Sequence, residues 1–222
     1  MSKEKQYVVL GLGIFGSTIA TTLSKGGKEV LAIDRNMACV ERIADKVTKA
    51  VQADTTDIEQ LRALGIEEFD VAIVAIGNQL EASILTVMNL RELGVKYILA
   101  KARNKQFMQI LEKVGADKVV RPEKDMGTKI AKSLLRNKIV DLVELEGGYS
   151  VVEMEAPSMW VGKTLKLLNV RATYDFNVIG IKKRKEDKIK MSIDPDAVIE
   201  SQDIFLLVAN TENIERFDLM GR

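Results

Sequence analysis

A glycine-rich turn between an apolar strand and a helix constrains the fold of this chain more than any other feature of its sequence. The strand is predicted at Tyr7–Leu10, and Gly11-Leu12-Gly13-Ile14-Phe15-Gly16 follows it. In this spacing the first glycine permits a tight turn, the second lets backbone N–H groups approach a phosphate, and the third lets helix and strand pack closely. The helix N-terminus also favours negative charge. The motif therefore predicts a turn that holds a phosphate group.

An acidic residue, Asp34, ends the next predicted strand, Val30–Asp34. A carboxylate at this place can accept hydrogen bonds from ribose hydroxyls. The glycine motif alone is a weak signal, but the strand, the helix, the second strand and its acidic end together favour a nucleotide site over a purely structural turn.

The composition excludes several classes of protein. The chain has 222 residues, of which 46% are hydrophobic, so it can bury a substantial core as one large domain or two smaller ones. A net charge of only +1 gives no electrostatic footprint for DNA or RNA, and no nucleic-acid partner is expected. No apolar stretch approaches the length of about 20 residues that crosses a bilayer, and the polar start is no secretory signal. We expect a cytoplasmic protein.

Histidine is absent, and Cys39 is the only cysteine. This excludes intrachain disulfides, metal sites built from thiolates or imidazoles, and catalytic triads that need histidine. Any metal bound by this chain must be held by oxygen ligands.

Short apolar runs alternate with longer periodic runs from Tyr7 to about Asn137, which predicts an α/β fold with a Rossmann-like doubly wound parallel sheet. Asp54-Thr55-Thr56 has the residues to cap the third helix, and Gly65 suits its end. Six strands are predicted: Tyr7–Leu10, Val30–Asp34, Ala50–Gln52, Val71–Ala75, Tyr97–Lys101 and Lys118–Val120.

A helix predicted over residues 122–137 carries Met126, Ile130 and Leu134 at four-residue spacing, so its apolar face needs a partner. After Lys138 the pattern changes to short β-like runs separated by turn residues, which predicts a small α+β lobe. The expected domains are residues 1–138 and 139–222. The predicted strands of the lobe are Val151–Met154, Val178–Ile181 and Ile204–Val208. The basic run Lys182-Lys183-Arg184-Lys185 is interpreted as a solvated hairpin turn.

An enzyme would need catalytic groups beside the glycine turn, and the best candidates are Tyr97 and Lys101. Their Y-x-x-x-K spacing is that of short-chain dehydrogenases, where both residues share a helix face. Here a strand separates them by roughly 13 Å, so they cannot cooperate. Lys101, at the carboxyl end of its strand, remains a candidate phosphate contact. An NAD-dependent oxidoreductase of Rossmann type is the alternative function.

Glu123 lies in the first turn of the helix that begins at Pro122. An acidic residue there complements the helix dipole, which alone explains it in most proteins. Alternatively, Glu123 is an oxygen ligand for Mg²⁺ or Ca²⁺, cations that bridge carboxylates and nucleotide phosphates. The sequence leaves both interpretations open.

Several segments, taken in their order, resemble an RCK domain, a cytosolic regulator of potassium conductance, and most closely the regulatory subunit of Ktr-type potassium uptake systems. In the first half they are Gly11–Gly16, Asp34, Ala53-Asp54-Thr55, Val74-Ala75-Ile76-Gly77, Ala100-Lys101-Ala102, Gly115-Ala116-Asp117 and Arg121-Pro122-Glu123-Lys124-Asp125-Met126-Gly127. In the second half they are Leu165 to Arg171, Gly180 to Lys183 and Gln202-Asp203-Ile204. The resemblance covers nearly the whole chain.

This resemblance implies a regulatory subunit without catalytic activity that senses an adenine nucleotide, ATP or ADP, with NAD(H) as a further candidate. Homodimers would assemble into an octameric ring docked on a membrane potassium-translocating subunit, peripheral to the inner face of the cell membrane. The helix over 122–137 would cross over to a second protomer. Glu123 would lie near the terminal phosphates at a subunit interface and could complete a divalent-cation site.

The resemblance also implies which residues bind ligands. Asp34 would hold the ribose, and the adenine would lie near Ala53 to Thr55 and Ile76-Gly77. The candidate cofactor-binding residues are Gly11, Gly13, Ile14, Phe15, Gly16, Asp34, Arg35, Ala53, Asp54, Thr55, Ile76, Gly77 and Lys101. Candidate contacts for a second ligand, cyclic di-AMP bound across a dimer interface, are Asn169, Arg171, Ala172, Asn177 and Pro195. An ordinary turn and strand explain this second set equally well.

Ile14 departs from the pattern of these regulators, which commonly carry arginine there to meet the terminal phosphate of ATP. An aliphatic side chain removes a charge-assisted contact usually worth about 1.5–3 kcal/mol. We therefore expect no strong preference for a triphosphate.

Overall fold

The computed structural model describes residues 5–77, 79–135, 139–184 and 186–220. The contacts within the chain divide it into two compact units, Met1–Met126 and Gly127–Arg222. None of the helices in the described ranges is long and apolar enough to span a membrane.

The first unit contains a six-stranded parallel sheet in the order β3-β2-β1-β4-β5-β6. The strands are β1 (Tyr7–Leu10), β2 (Val30–Asp34), β3 (Lys49–Gln52), β4 (Val71–Val74), β5 (Tyr97–Lys101) and β6 (Lys118–Val120). Its helices are α1 (Ile14–Lys25), α2 (Met37–Glu41), α3 (Ile58–Ala63), α4 (Leu80–Glu92) and α5 (Lys105–Lys113), with 3₁₀ turns at Ala44–Lys46 and Ile66–Glu68. A sixth helix, α6 (Pro122–Leu135), begins in this unit and ends in the second. The chain runs outward from β1 to β3 and then returns to β4, so the order reverses between β1 and β4. In such sheets ligands bind beyond the carboxyl ends of the strands at this point.

Both faces of this sheet are buried, because alternate residues of each strand point to opposite sides. In β1, Val8 and Leu10 belong to one apolar cluster while Val9 belongs to the other. In β2, Leu31 and Ile33 likewise separate from Val30 and Ala32. The nearly continuous apolar runs in these strands therefore reflect two cores rather than one.

The cap of α3 differs from the prediction. Asp57 is the N-cap, and its carboxylate accepts from the N–H groups of Glu59 (2.9 Å) and Gln60 (3.3 Å). Asp54 instead accepts from the N–H and hydroxyl of Thr56, at 2.9 and 2.7 Å. The prediction was wrong because the chain makes a further turn before the helix begins.

Arg91 links the end of α4 to the segments that precede β5 and β6. Its guanidinium donates to the carbonyl oxygens of Gly115 (2.6 Å) and Val95 (3.0 Å) and pairs with Asp117 at 2.5 Å. Asp117 in turn accepts from the N–H of Ile98 in β5, at 2.6 Å. This network fixes the strand that ends in Lys101.

The second unit contains a four-stranded antiparallel sheet in the order β7-β8-β10-β9. The strands are β7 (Ile139–Glu144), β8 (Tyr149–Glu155), β9 (Asn177–Lys182) and β10 (Ile204–Asn210), and the helices are α7 (Leu165–Leu168), α8 (Val170–Tyr174) and α9 (Thr211–Met220). Three of the strands were predicted with narrower bounds, and β7 was not predicted. Trp160, Phe176 and Phe205 are fully buried and anchor the core of this unit.

The helix predicted over 122–137 is present as α6, and Met126, Ile130 and Leu134 on it are exposed. Residues 136–138 lie outside the described ranges, as does Lys185 of the basic run.

Candidate nucleotide-binding site

A cavity of about 270 Å³ opens at the carboxyl ends of β1, β2, β3 and β4, where the strand order reverses. Most of its wall comes from residues predicted as cofactor contacts, and four further residues complete it. The predicted residues in the wall are Gly11, Gly13, Asp34, Arg35, Ala53, Asp54, Thr55, Ile76 and Gly77, and the others are Thr56, Ala75, Gln79 and Ala82. No sequence motif marked the turn at Thr56 or the start of α4 as part of the site.

The glycine turn has the geometry that the motif requires. Gly11 has a φ of +96°, a conformation that side chains strongly disfavour. A β-carbon on Gly16 would overlap the carbonyl oxygen of Gly11, so only glycine lets α1 approach the turn this closely. Apart from its chain neighbours, none of the described residues would lie within 4 Å of a β-carbon on Gly13, so there is open space beside the turn.

Gly13 is the N-cap of α1, and because glycine has no side chain it makes no capping hydrogen bond to this helix end. The first N–H groups of a helix lack partners within the helix, and the helix dipole is positive there. The open space at Gly13 therefore adjoins a group of backbone donors that suits a phosphate.

Asp34 holds the glycine turn and the start of the next loop together. Its Oδ2 accepts from the N–H of Leu12 at 2.6 Å, and its Oδ1 accepts from the N–H of Asn36 at 2.8 Å. An ionised carboxylate offers about four lone-pair sites. Asp34 can therefore also accept hydrogen bonds from ribose hydroxyls.

The loop Ala53–Thr56 is fixed from behind by α4. The buried hydroxyls of Thr55 and Thr86 are hydrogen-bonded at 2.9 Å, and the Asn89 amide donates to the carbonyl oxygen of Thr56 at 3.0 Å. Thr56 donates to Asp54 through its hydroxyl and its N–H, and these bonds lower the pKa of the Asp54 carboxyl. This wall of the cavity is thus rigidly supported and negatively charged.

Lys101 lies behind the cavity wall. A β-carbon on Gly77 would meet the Lys101 Cε at 3.0 Å and its Nζ at 3.2 Å, so the lysine packs directly against this lining residue. The ammonium lies 5.6 Å from the centre of the Phe15 ring. Its Nζ also pairs with Oε1 of Glu123 at 2.5 Å, and this hydrogen bond lowers the pKa of the Glu123 carboxyl.

Ile14, at the start of α1, is 90% exposed and forms no part of the cavity wall. The side chain points to solvent beside the glycine turn. A longer, charged residue at this place would be free to turn toward a bound ligand.

The described residues offer few side chains that could coordinate a divalent cation. They contain no group of three histidine, cysteine, aspartate or glutamate residues placed to hold a metal ion. The Glu123 carboxylate has the oxygen donors that Mg²⁺ or Ca²⁺ prefers, but Lys101 engages it. A cation here would depend on ligands beyond this one carboxylate, such as phosphate oxygens.

The residues predicted for a second ligand are all exposed in the second unit. Asn169 joins α7 to α8 with a φ of +43°, and Arg171 and Ala172 lie in α8. Asn177 begins β9, and the carbonyl oxygen of Pro195 accepts from the N–H of Lys166 at 3.0 Å. A cavity of about 290 Å³ near α8 includes Ala172 but none of the other four; its wall is Ala172, Thr173, Tyr174, Asp175, Phe176, Asn213, Arg216 and Phe217.

Comparison with known families gives two matches along the chain. Residues 7–122 match the TrkA-N domain, and residues 150–220 match the TrkA-C domain. The first match spans the parallel sheet and its cavity, and the second spans most of the antiparallel lobe.

Two relatives from Bacillus subtilis (strain 168) match almost the full chain. Ktr system potassium uptake protein C is 40% identical over 215 residues, which cover 97% of this chain and 96% of the relative. Ktr system potassium uptake protein A is 40% identical over 219 residues, which cover 99% and 98%.

Among solved structures, the GsuK channel bound to NAD has a similar fold. It has a TM-score of 0.65 at 15% identity, with 100% of this chain and 40% of that chain covered. The Rossmann-like sheet and the small C-terminal α+β lobe predicted from the sequence are confirmed.

Proposed function

This chain belongs to the family of Ktr system potassium uptake proteins with a TrkA-N and a TrkA-C domain, and from that membership we propose that it is a cytosolic, nucleotide-sensing regulatory subunit of a membrane potassium transporter or channel. The observation that carries the proposal is the match to two potassium uptake proteins, which covers nearly the whole length of this chain and of each relative. In this proposal the protein lies peripheral to the inner face of the cell membrane, where its partner is the potassium-translocating subunit.

In this proposal residues 1–138 form the nucleotide domain and 139–222 the C-terminal lobe. The ribose hydroxyls donate hydrogen bonds to Asp34, the adenine lies between the Ala53–Thr55 loop and Ile76-Gly77, and the phosphates extend toward the start of α1. The supporting geometry is the cavity that these residues share and the uncapped helix end at Gly13. The four predicted contacts outside the cavity wall, Ile14, Phe15, Gly16 and Lys101, belong to the phosphate end in this proposal.

The ligand is an adenine nucleotide, ATP or ADP, with NAD(H) as a further candidate. The fold is shared with a channel that binds NAD, and NAD carries the same adenosine diphosphate portion as ADP. Because Ile14 supplies no charge for a third phosphate, the pocket discriminates weakly between ATP and ADP.

An NAD-dependent oxidoreductase is the weaker candidate, and we propose that the chain is not an enzyme. Tyr97 and Lys101 lie at opposite ends of β5, and the sequence contains no histidine. Assays of NADH absorbance with the purified protein and simple hydroxy or keto substrates should detect no hydride transfer above the buffer rate.

We place a divalent cation, Mg²⁺ or Ca²⁺, at Glu123 when nucleotide is bound. One carboxylate cannot fill the coordination shell of either ion. Phosphate oxygens and residues of a second copy would supply the remaining ligands.

Assembly into homodimers, and of dimers into an octameric ring, would cover the apolar face of α6. Met126, Ile130 and Leu134 are exposed on that helix, which is unusual for three large apolar side chains on one stripe.

Cyclic di-AMP is proposed as a second ligand, bound across a dimer interface. Its contacts would be Asn169, Arg171, Ala172, Asn177 and Pro195, and only the exposure of those residues supports this proposal.

Native mass spectrometry of the purified full chain tests the assembly and the ligand together. We expect an octamer that carries ADP, ATP or NAD(H). A monomer that shows no mass shift with any adenine nucleotide would contradict the proposal.

The regulatory role is tested by potassium uptake in cells that express the membrane subunit with or without this chain. The chain should change the uptake rate, and Asp34→Ala should abolish its response to nucleotide. Equal uptake with and without the chain would refute a regulatory role even if nucleotide binds.

A further inference from the structure

We propose that Lys101 is a charge switch shared by two anions: its ammonium pairs either with the Glu123 carboxylate or with a phosphate of a bound nucleotide, so that phosphate binding releases Glu123. This inference rests on the proposed nucleotide function of the cavity. It adds to that function a route by which the phosphate end of the ligand acts on α6.

The first observation is the burial of the lysine. Only 14% of the Lys101 side chain is exposed, and its Nζ lies 2.5 Å from Oε1 of Glu123. A buried ammonium needs an anionic or hydrogen-bonding partner, because losing water without replacement is costly. Within the described ranges Glu123 is the carboxylate in ion-pair contact with Lys101.

The second observation is the position of the ammonium. It lies between the Phe15 ring, in the first turn of α1, and Gly77, in the cavity wall. The N-terminus of α1 is where this fold binds phosphate. Gly77 also provides the space, because a side chain there would meet the lysine at 3.0–3.2 Å. A phosphate seated at the glycine turn would therefore lie close to this charge.

The third observation is the asymmetry of the pair. Glu123 is 68% exposed, so its carboxylate loses little when it exchanges lysine for water. Lys101 is mostly buried and cannot make the same exchange. A phosphate brings more negative charge and more acceptor oxygens than one carboxylate, which favours transfer of the ammonium to the ligand.

The consequence concerns α6, because Glu123 is its second residue. While paired, Glu123 is tied to the end of β5; once released, it is free to bind a cation or another protein group. Adenosine, which has no phosphate, would fill the cavity without causing this release. The release of Glu123 therefore depends on the phosphate of the ligand and not on its nucleoside portion.

Isothermal titration calorimetry of the full chain with adenosine and with ADP, in the presence of a chelator, tests the switch. Removing the competitor with Glu123→Gln should tighten ADP binding by about three- to tenfold, the scale of one charge-assisted hydrogen bond, and leave adenosine unchanged. Lys101→Met should weaken ADP binding by about tenfold or more, again with adenosine unchanged. In the double variant, Glu123→Gln should have no further effect.

Lys96→Met is the matched control, because Lys96 is exposed and forms an ion pair with Asp70 at 3.0 Å in the same unit. It should change neither affinity. Lys101→Gln is a second variant without the ammonium, and thermal unfolding of every variant distinguishes loss of this charge from loss of folding. Because Glu123 is exposed, Glu123→Gln tests the competition even if both Lys101 variants unfold.

The inference is overturned if Glu123→Gln leaves the ratio of ADP to adenosine affinity at the wild-type value, or if its effect persists in the double variant. In that case both ligands still bind and the proposed nucleotide function stands. If wild-type protein binds neither ligand, the nucleotide function and the switch both fail.

Discussion

Asp203 and Lys183 form an ion pair in which the carboxylate is completely buried and the ammonium is partly exposed, with Nζ 2.7 Å from Oδ2. The same oxygen accepts from the N–H of Glu200 at 2.9 Å, and Lys183 also donates to the carbonyl oxygen of Val198 at 2.9 Å. The other oxygen, Oδ1, is buried and has no hydrogen-bond partner among the described residues. The pair joins the end of β9 to the loop before β10.

Replacing Lys183 with methionine should destabilise the C-terminal lobe by about 3–5 kcal/mol, because it leaves an unpaired charge in the interior. Urea unfolding followed by the fluorescence of Trp160, the only tryptophan and a core residue of this lobe, measures the loss. Lys166→Met is the control: its ion pair with Asp196 is exposed, so about 1 kcal/mol or less is expected. Equal losses for the two variants would contradict the prediction.

Two alanine substitutions in the glycine turn should separate stability from binding. Gly16→Ala forces a methyl group into the Gly11 carbonyl oxygen and should cost about 1–3 kcal/mol or more in stability. Gly13→Ala adds a methyl group that lies more than 4 Å from the described residues other than its chain neighbours, so it should leave the melting temperature nearly unchanged while it weakens ADP binding. Thermal unfolding by circular dichroism and calorimetric titration with ADP measure the two effects. If Gly13→Ala binds ADP like the wild type, the phosphate does not lie at this turn.

Ile14→Arg should strengthen the binding of ATP relative to ADP. Ile14 is almost fully exposed beside the glycine turn, so a guanidinium there can reach a third phosphate without disturbing the core. The expected gain is about tenfold in the ATP to ADP affinity ratio, the scale of one charge-assisted contact. Ile14→Met controls for side-chain length. An unchanged ratio of ATP to ADP affinity, measured by calorimetry, would contradict this prediction.

The hydrogen bonds to Asp54 predict a specific dependence of stability on pH. They lower the pKa of the folded carboxyl, so their contribution is fully present above the unfolded value of about 3.9 and is lost as the pH falls through the lower folded value. Asp54→Asn should therefore lower the melting temperature at pH 7, and the gap from wild type should close on acidification below about pH 4. Thr56→Val, which removes the hydroxyl donor, should shrink the gap at pH 7, whereas Thr56→Ser should preserve it. A gap that is constant across this pH range would disprove the prediction.

The strands of the first unit were predictable because their apolar runs are bounded by glycine and polar turns. β1, β2, β5 and β6 have the predicted bounds, and β3 and β4 each differ by one residue. β7 was missed because no glycine or proline separates it from the long helix that precedes it. An irregularity between Ile139 and Asp141 also breaks the alternation of buried and exposed residues that reveals a strand.

The residues of the cavity wall were predictable where they belong to motifs at strand ends. Thr56 and Gln79 were not, because their positions depend on how the loop folds against α4. The pairing of Lys101 with Glu123 was also beyond sequence reasoning. These residues are 22 positions apart and meet only because β5 and α6 come together at the end of the sheet.

Asp34 has a consequence for the energetics of ligand capture. Since the N–H groups of Leu12 and Asn36 hold both of its oxygens, the conformational entropy of orienting this carboxylate is lost when the protein folds. Ribose would therefore meet an acceptor already aimed at it, and little of the ligand's interaction energy would be spent on ordering the site. Such preorganisation favours tight binding of the nucleoside portion and leaves discrimination between ligands to their phosphates.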